Sequence, residues 1–315
     1  MSGTDAAPAP AGLARRAKSA LYAWVSRRYM PGCTNYNPLE VRRGSRSKRQ
    51  AREMFAARGL PHAKGRIFTD PRDALRFGDE HGYPLVVKPN VGGFSRGSHF
   101  PIRDRRELLR AAIAVKAWWP TSVVEQYLEG ANYRVLATGD EIVSVIRRYP
   151  PYVDGDGRSA VTALIDAENA TREAMGLYPI VHPIEKSGAT VAHLKRSGRT
   201  LDTVPAAGER VTLFHRVALA PGGTVETVDR GALPEENARL FTDTVRAFDA
   251  NLFGVDAIFE RGIEVPWTEQ RTILLEVNSR PYTAMHAVPR RGEPDDLSAF
   301  HARMEALGVR DTDTF

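Results

Sequence analysis

The segment LVVKPNVGGFSRGSHF at 85–100 sets Lys88 on an apolar, β-branched run and follows it with Gly92, Gly93 and Gly97. A fixed cation followed by flexible backbone N–H donors suits a polyphosphate, so the segment points to a nucleoside triphosphate. No GK[ST] closes it as a Walker A loop, and no GxGxxG opens a following helix. By itself a glycine pair in a loop is most simply a turn. The second segment, QRTILLEVNSRPYTAMH at 270–286, holds Glu276 and Asn278 two apart in a strand, hence on one face. A carboxylate and an amide oxygen side by side are hard ligands suited to Mg²⁺, and Asp256 in FGVDAIFE can complete the set from a neighbouring strand. Isolated acidic residues at strand ends are more often solvated or ion-paired. These sit among Leu, Ile and Val, where an uncompensated carboxylate is costly.

Other reactive side chains are sparse. Cys33 is the only cysteine, which excludes an intrachain disulfide, a CxxC pair and a thiolate zinc cluster, and it predicts a reducing, cytoplasmic setting. His182, His193, His215 and His286 lack metal-ligand spacing; the first three read as surface or structural residues and His286 as a candidate for the substrate side. Trp118-Trp119 reads as the apolar end of a helix.

These residues need elements to position them. Residues 1–12 are Pro/Ala-rich and predict a mobile tail, followed by a basic amphipathic helix over 13–30 that Pro31-Gly32 ends. Beyond a linker at 42–47, helices are predicted over 48–58 and from Pro71 through Phe77, then a strand at 85–88. A helix over 105–115 and strands over 122–127, 133–138 and 142–147 come next. Residues 159–168 and 234–250 read as helical, 209–218 as extended, and 254–260 and 272–278 as strands. The order is hairpin-like, giving an α+β class rather than a doubly wound sheet.

The chain has 315 residues and a net charge of +6. Residues 1–60 carry 12 basic and 3 acidic side chains, so the remaining 255 are slightly acidic. The basic character thus belongs to the first fifth, which argues against a nucleic-acid-binding body. No apolar run approaches the roughly 18–20 residues of a membrane span.

Between the two chemistry-bearing segments lies VVEQYLEGANYRVLATGDEIVSVIRRYPPYVDGDG at 123–157, and with it the ordering becomes recognisable. Together with SKRQAREMFAARGLP at 47–61, YPLVVKPNVGGFSRG at 83–97, LDTVPAAGERVTL at 201–213, GVDAIF and LLEVNSRPYTAMH, it resembles the ATP-grasp superfamily. Within it the chain is similar to the branch shared by cyanophycin synthetase and the ATP-grasp half of bifunctional glutathione synthetases, over residues 46–300. The resemblance implies two α+β subdomains gripping ATP, with residues 1–45 as a short basic tail and amphipathic helix, 46–128 as N-terminal helices and the small lid subdomain, and 129–315 as the core with the metal site. It implies that Lys48 and Lys88 approach the phosphates, that the loop Gly92, Gly93 to Gly97 folds over them, and that Glu125, Tyr127 and Leu128 form the hinge against adenine. It likewise assigns Arg134 and Arg148 to the reacting phosphoryl or substrate carboxylate, and Asp256, Glu276 and Asn278 to magnesium, two ions with Mn²⁺ as a substitute. Two positions depart from the pattern: Asn132 stands where many relatives carry an acidic residue, and Ala218 replaces the asparagine of an NLSTGG-like stretch.

The activity so implied is ATP-dependent carboxylate–amine ligation through an acyl phosphate, on small-molecule or peptide carboxylate and amine substrates. The chain would work alone, as a homo-oligomer or with a separate partner subunit, without nucleic acid or a membrane span. The alternatives are an ATP-grasp kinase or other phosphoryl-transfer enzyme and a non-catalytic nucleotide-binding module.

Overall fold

The computed structural model describes residues 36–90 and 97–307. Its helices are α1 (Leu39–Gly44), α2 (Lys48–Ala57), α3 (Pro71–His81), α4 (Arg105–Lys116), α5 (Val161–Ala174), α6 (Gly188–Arg196), α7 (Glu235–Ala247) and α8 (Ser298–Ala306). The strands are β1 (Gly65–Phe68), β2 (Leu85–Pro89), β3 (His99–Ile102), β4 (Ser122–Gln126), β5 (Ala131–Ala137), β6 (Ile142–Tyr149), β7 (Tyr152–Asp154), β8 (Arg210–Thr212), β9 (Thr224–Thr227), β10 (Phe253–Phe259) and β11 (Thr272–Asn278). The expected tail and helix over 1–30, together with Cys33, Gly92 and Gly93, lie outside the described residues.

Two antiparallel sheets carry the site. The small sheet runs β1-β4-β2-β3 and the large one β11-β10-β5-β6-β9. Period-2 alternation decides which face each buries. On the small sheet, Leu85, Val87 and Val124 join Ala74 and Phe77 of α3 and Leu108, Ala112 and Val115 of α4 in one core. On the large sheet, Tyr133, Val135, Val145, Val255 and Ala257 pack against Leu240, Phe241 and Val245 of α7 and Ala51 and Phe55 of α2. The apolar face of α2 thus packs with the large sheet. β7 and β8 form a separate two-stranded sheet that packs with α5 and α6 around Val153, Val161, Ile165, Leu194 and Val211.

Local signals explain the boundaries. Ser47 and Gln50 form a capping box at the start of α2, Asp70 caps α3 with Pro71 in its first turn, and Asp104 caps α4. The expected linker at 42–47 is partly helical, since α1 occupies 39–44; only six residues long, it offers no periodicity to read, and it is anchored by Val41, 8% exposed. α5 continues six residues past its expected end at 168, held by buried Arg172. Of the expected extended run 209–218, only 210–212 is strand. β1, β3, β7 and β9 are three or four residues long, too short for an alternation pattern to stand out.

Candidate active site

On the small sheet, the face turned away from the helices carries Val86, Lys88, Val123 and Glu125, because Val86 pairs with Glu125 and Lys88 with Val123 in register. The Glu125 carboxylate is 5% exposed and compensated on both sides. Lys88 Nζ stands 2.5 Å from Oε2, and Arg52 Nη1 donates to Oε1 at 2.8 Å. Gly65, directly opposite Glu125 on β1, makes this arrangement fit: a Cβ there would lie 2.5 Å from Glu125 Cγ and 2.9 Å from Arg52 Nη1.

The glycine-rich loop is anchored at both ends. Asn90 accepts from the backbone N–H of Lys48 through its carbonyl and from that of Arg49 through its side chain, both at 3.2 Å. Gly97 has φ +72 and approaches the Trp119 ring so closely that a Cβ would lie 2.3 Å from it. Trp118 and Trp119 lie beyond the helix end and differ in role: the first is 80% exposed, and the second packs against Gly97.

The expected hinge residues Tyr127 and Leu128 follow β4. Tyr127 donates its backbone N–H to the Pro84 carbonyl at 3.1 Å, and its ring stacks on Phe100 with centroids 6.0 Å apart. Burial raises its phenol above the ordinary value. Leu128, 2% exposed, joins Ala63, Ile258, Ile273 and Leu275 in an apolar patch beside the large sheet.

On the large sheet the alternation that buries Tyr133 and Val135 turns Asn132 and Arg134 to the opposite face. Register then aligns Arg134 with Asp256 and Asp256 with Glu276 across three neighbouring strands, with Gly254 facing Asn278. The β10–β11 register shifts just after this row, leaving Leu275 as an extra residue; bulges of this kind re-aim side chains. Arg134 grips Asp256 bidentately, Nε to Oδ1 at 2.6 Å and Nη2 to Oδ2 at 2.9 Å. Arg148 adds Nη2 to Oδ2 at 2.9 Å and donates its Nε to Asn132 Oδ1 at 2.8 Å. Burial alone would raise the Asp256 carboxyl; the two guanidinium cations override it and hold it below the usual carboxylate range.

α2 joins the two sheets. Lys48 Nζ lies 3.5 Å from Glu276 Oε2 on the large sheet, while Arg52, one turn later, reaches Glu125 on the small one. The structure thus places Lys88 and Glu125 on the small sheet and Arg134, Arg148, Asp256, Glu276 and Asn278 on the large one, with α2 reaching the first group through Arg52 and the second through Lys48. Asp256, Glu276 and Asn278 offer three hard oxygen donors on one face of adjoining strands, with the Asn278 amide N–H₂ donated to Gly254 O at 3.1 Å so that its oxygen is left for a cation. This donor set fits Mg²⁺. Among the described residues no group of three His, Cys, Asp or Glu is placed to hold a metal, so the set depends on the asparagine.

Three neighbouring residues were not marked by the sequence. Arg52 and Gly65 act through Glu125, as above. Asn37, fully buried, donates to the carbonyls of Leu252 and Ser279 at 2.8 Å and accepts from Asn251 N at 2.8 Å, fixing the chain just past Asn278. His286 is also fully buried and bonds through Nδ1 to Ser144 Oγ at 2.5 Å, and that hydroxyl donates to Asp295. Its Nε2 has no hydrogen-bond partner. Burial, then the fields of Arg134 and Arg148, push its pKa down to about 3, so it is neutral.

No family model matches the chain. Cyanophycin synthetase from Nostoc sp. (strain PCC 7120 / SAG 25.82 / UTEX 2576) is 31% identical over 256 residues, covering 80% of this chain and 28% of that protein. The glutathione biosynthesis bifunctional protein GshAB of Clostridium perfringens is 26% identical over 226 residues, covering 70% and 28% respectively. The chain therefore spans less than a third of the length of these two relatives. Among solved structures, a bifunctional glutathione synthetase from Pasteurella multocida superposes with a TM-score of 0.61 at 22% identity, covering 89% of this chain and 38% of that one. The ATP-grasp ligase PsnB superposes with a TM-score of 0.51 at 15% identity, covering 94% and 72%. The chain is a member of the ATP-grasp superfamily, on the branch similar to cyanophycin synthetase and the bifunctional glutathione enzymes. No helix among the described residues is long and apolar enough to cross a membrane.

Proposed function

We propose that the chain is an ATP-dependent carboxylate–amine ligase acting on amino-acid or peptide substrates in the cytoplasm. One observation carries the reading: α2 sets Lys48 3.5 Å from Glu276, which shares one face of the large sheet with Asp256 and Asn278, while its Arg52 reaches the carboxylate that holds Lys88 on the small sheet. The names of the relatives, cyanophycin synthetase and glutathione biosynthesis protein, support the substrate class.

In this reading Lys48 and Lys88 bind the ATP phosphates under the loop that ends at Gly97, and the hinge at Glu125–Leu128 lies along the nucleobase. Asp256, Glu276 and Asn278 hold Mg²⁺, two ions with Mn²⁺ able to replace them, which neutralises phosphate charge during transfer. Arg134 and Arg148, steadied by Asp256, present guanidinium cations to the substrate carboxylate and the transferring phosphoryl group. The carboxylate oxygen attacks the γ-phosphorus, ADP leaves, and an amine then displaces phosphate from the acyl phosphate to form the amide. No protein nucleophile takes part; positioning and electrostatic stabilisation do the catalysis.

ADP release measured against a panel of carboxylates and amines, with mass identification of the product, tests the reading. An amide product with one ADP per bond is expected. A phosphorylated product without an amide would make the protein a kinase, and absence of nucleotide consumption across the panel would overturn the assignment.

A further inference from the structure

Resting on the reading of these residues as a nucleotide site, we infer that Arg52 is a positioning residue for Lys88, acting through Glu125. The two Glu125 oxygens are divided between two cations: Arg52 Nη1 holds Oε1 at 2.8 Å and Lys88 Nζ holds Oε2 at 2.5 Å. All three side chains are 15% exposed or less, so water does little to hold them. A carboxylate at the end of a side chain can rotate about its terminal bonds. Fixing one oxygen with a planar, rigid donor fixes the other, and with it the lysine ammonium.

Two further observations support this role. Gly65 leaves room for the pair, since any side chain there would strike both Glu125 Cγ and Arg52 Nη1. The strand that carries Lys88 is also tied to the helix that carries Arg52 a second time, through Asn90 and the N–H groups of Lys48 and Arg49. Helix α2 thus sets the start of the glycine-rich loop through its backbone and the phosphate-facing lysine through Arg52. With both oxygens engaged, Glu125 acts here as a counter-ion that aims Lys88 rather than as an acceptor for the adenine amino group.

The test compares binding of ATP, ADP and adenosine by titration calorimetry to the full-length protein and to Arg52→Met, Arg52→Lys, Glu125→Gln and the Arg52→Met/Glu125→Gln double variant. Arg52→Met should weaken ATP and ADP binding by about tenfold while adenosine binding stays unchanged, the scale of one misplaced charge-assisted contact. Arg52→Lys, which keeps the cation, should recover most of the loss. The double variant should bind ATP no more weakly than Glu125→Gln alone, because Arg52 acts only through that carboxylate. Equal losses for ATP and adenosine, additive losses in the double variant, or unchanged ATP binding by Arg52→Met would each overturn the inference. Because the readout is binding, failure of the ligase assignment leaves it standing, and its own failure leaves the ligase assignment untouched.

Discussion

Asp256 and Glu276 face each other directly across β10 and β11, yet their carboxylates are held in opposite ways. Asp256, its side chain 5% exposed, is clamped by Arg134 and Arg148; Glu276, 33% exposed, has Lys48 at 3.5 Å. Asp256 is an oxygen donor already fixed between two cations, and Glu276 is one still in contact with solvent. Substitutions should separate these roles.

Replacing Glu276 by Ala should lower turnover by about 10²–10³-fold, the scale of losing one group that stabilises transition-state charge. Its ion pair is partly exposed, so the melting temperature should barely move. ADP release and thermal unfolding on the same preparation check both halves, and full activity in the variant would remove Glu276 from the metal set.

Asp256→Asn should behave differently, because it leaves two buried guanidinium groups without their anion. A loss of about 3–5 kcal/mol is expected, read from the urea midpoint at constant slope. The carboxyl is held below its ordinary value, so its contribution is present at neutral pH and is lost as the pH falls through the folded value. The stability difference between wild type and variant should therefore shrink on acidification, and a constant difference would contradict the pairing.

His286 gives a second pH signature. Its imidazole is neutral in the folded protein, with a pKa pushed down to about 3, whereas the unfolded value is near 6.5. Protons bind the unfolded chain first, so its contribution is complete above pH 6.5 and falls as the pH drops toward 3, at up to about 1.4 kcal/mol per pH unit. His286→Gln should flatten the stability profile between pH 6.5 and 4; an unchanged slope would refute the buried, neutral assignment.

Gly65→Ala should disturb both the packing of the small sheet and nucleotide binding. The added Cβ would meet Glu125 Cγ at 2.5 Å, Arg52 Nη1 at 2.9 Å and the Val124 carbonyl at 3.0 Å, so the buried pair must shift. A destabilisation of about 1–3 kcal/mol with weaker ATP binding is expected. Wild-type affinity in this variant would show that the pair can move without consequence.

Much of this arrangement was legible because strand alternation is a local signal. Tyr133, Val135 and Ala137 against Asn132, Arg134 and Leu136 reads as a half-apolar strand, and Glu276 with Asn278 reads as one face. What could not be read was pairing at a distance. Arg52 looked like one more basic residue on an amphipathic helix, since its partner lies 73 residues away. Asn37 bonds a carbonyl 215 residues later, and no local pattern announces such a contact. The clamp on Asp256 was hidden for the same reason, because residue type alone does not show that a carboxylate is also the counter-ion of two distant arginines. Short elements such as α1, β7 and β9 are fixed by neighbours rather than by their own periodicity.

Asn37 also bears on how the protein comes to be folded. Its side chain joins the start of the described chain to Leu252 and Ser279, and α2 then threads between a sheet closed near residue 126 and one closed near residue 278. Loops of that span form slowly, because their closure entropy is lost before any contact rewards it. The small sheet with α3 and α4 is local and can assemble early, whereas the charged row Arg134–Asp256–Glu276 with Lys48 requires both ends of the chain. Competence to bind a nucleotide should thus be acquired last in refolding, after most secondary structure has formed, and stopped-flow nucleotide binding set against far-ultraviolet circular dichroism would time the two events.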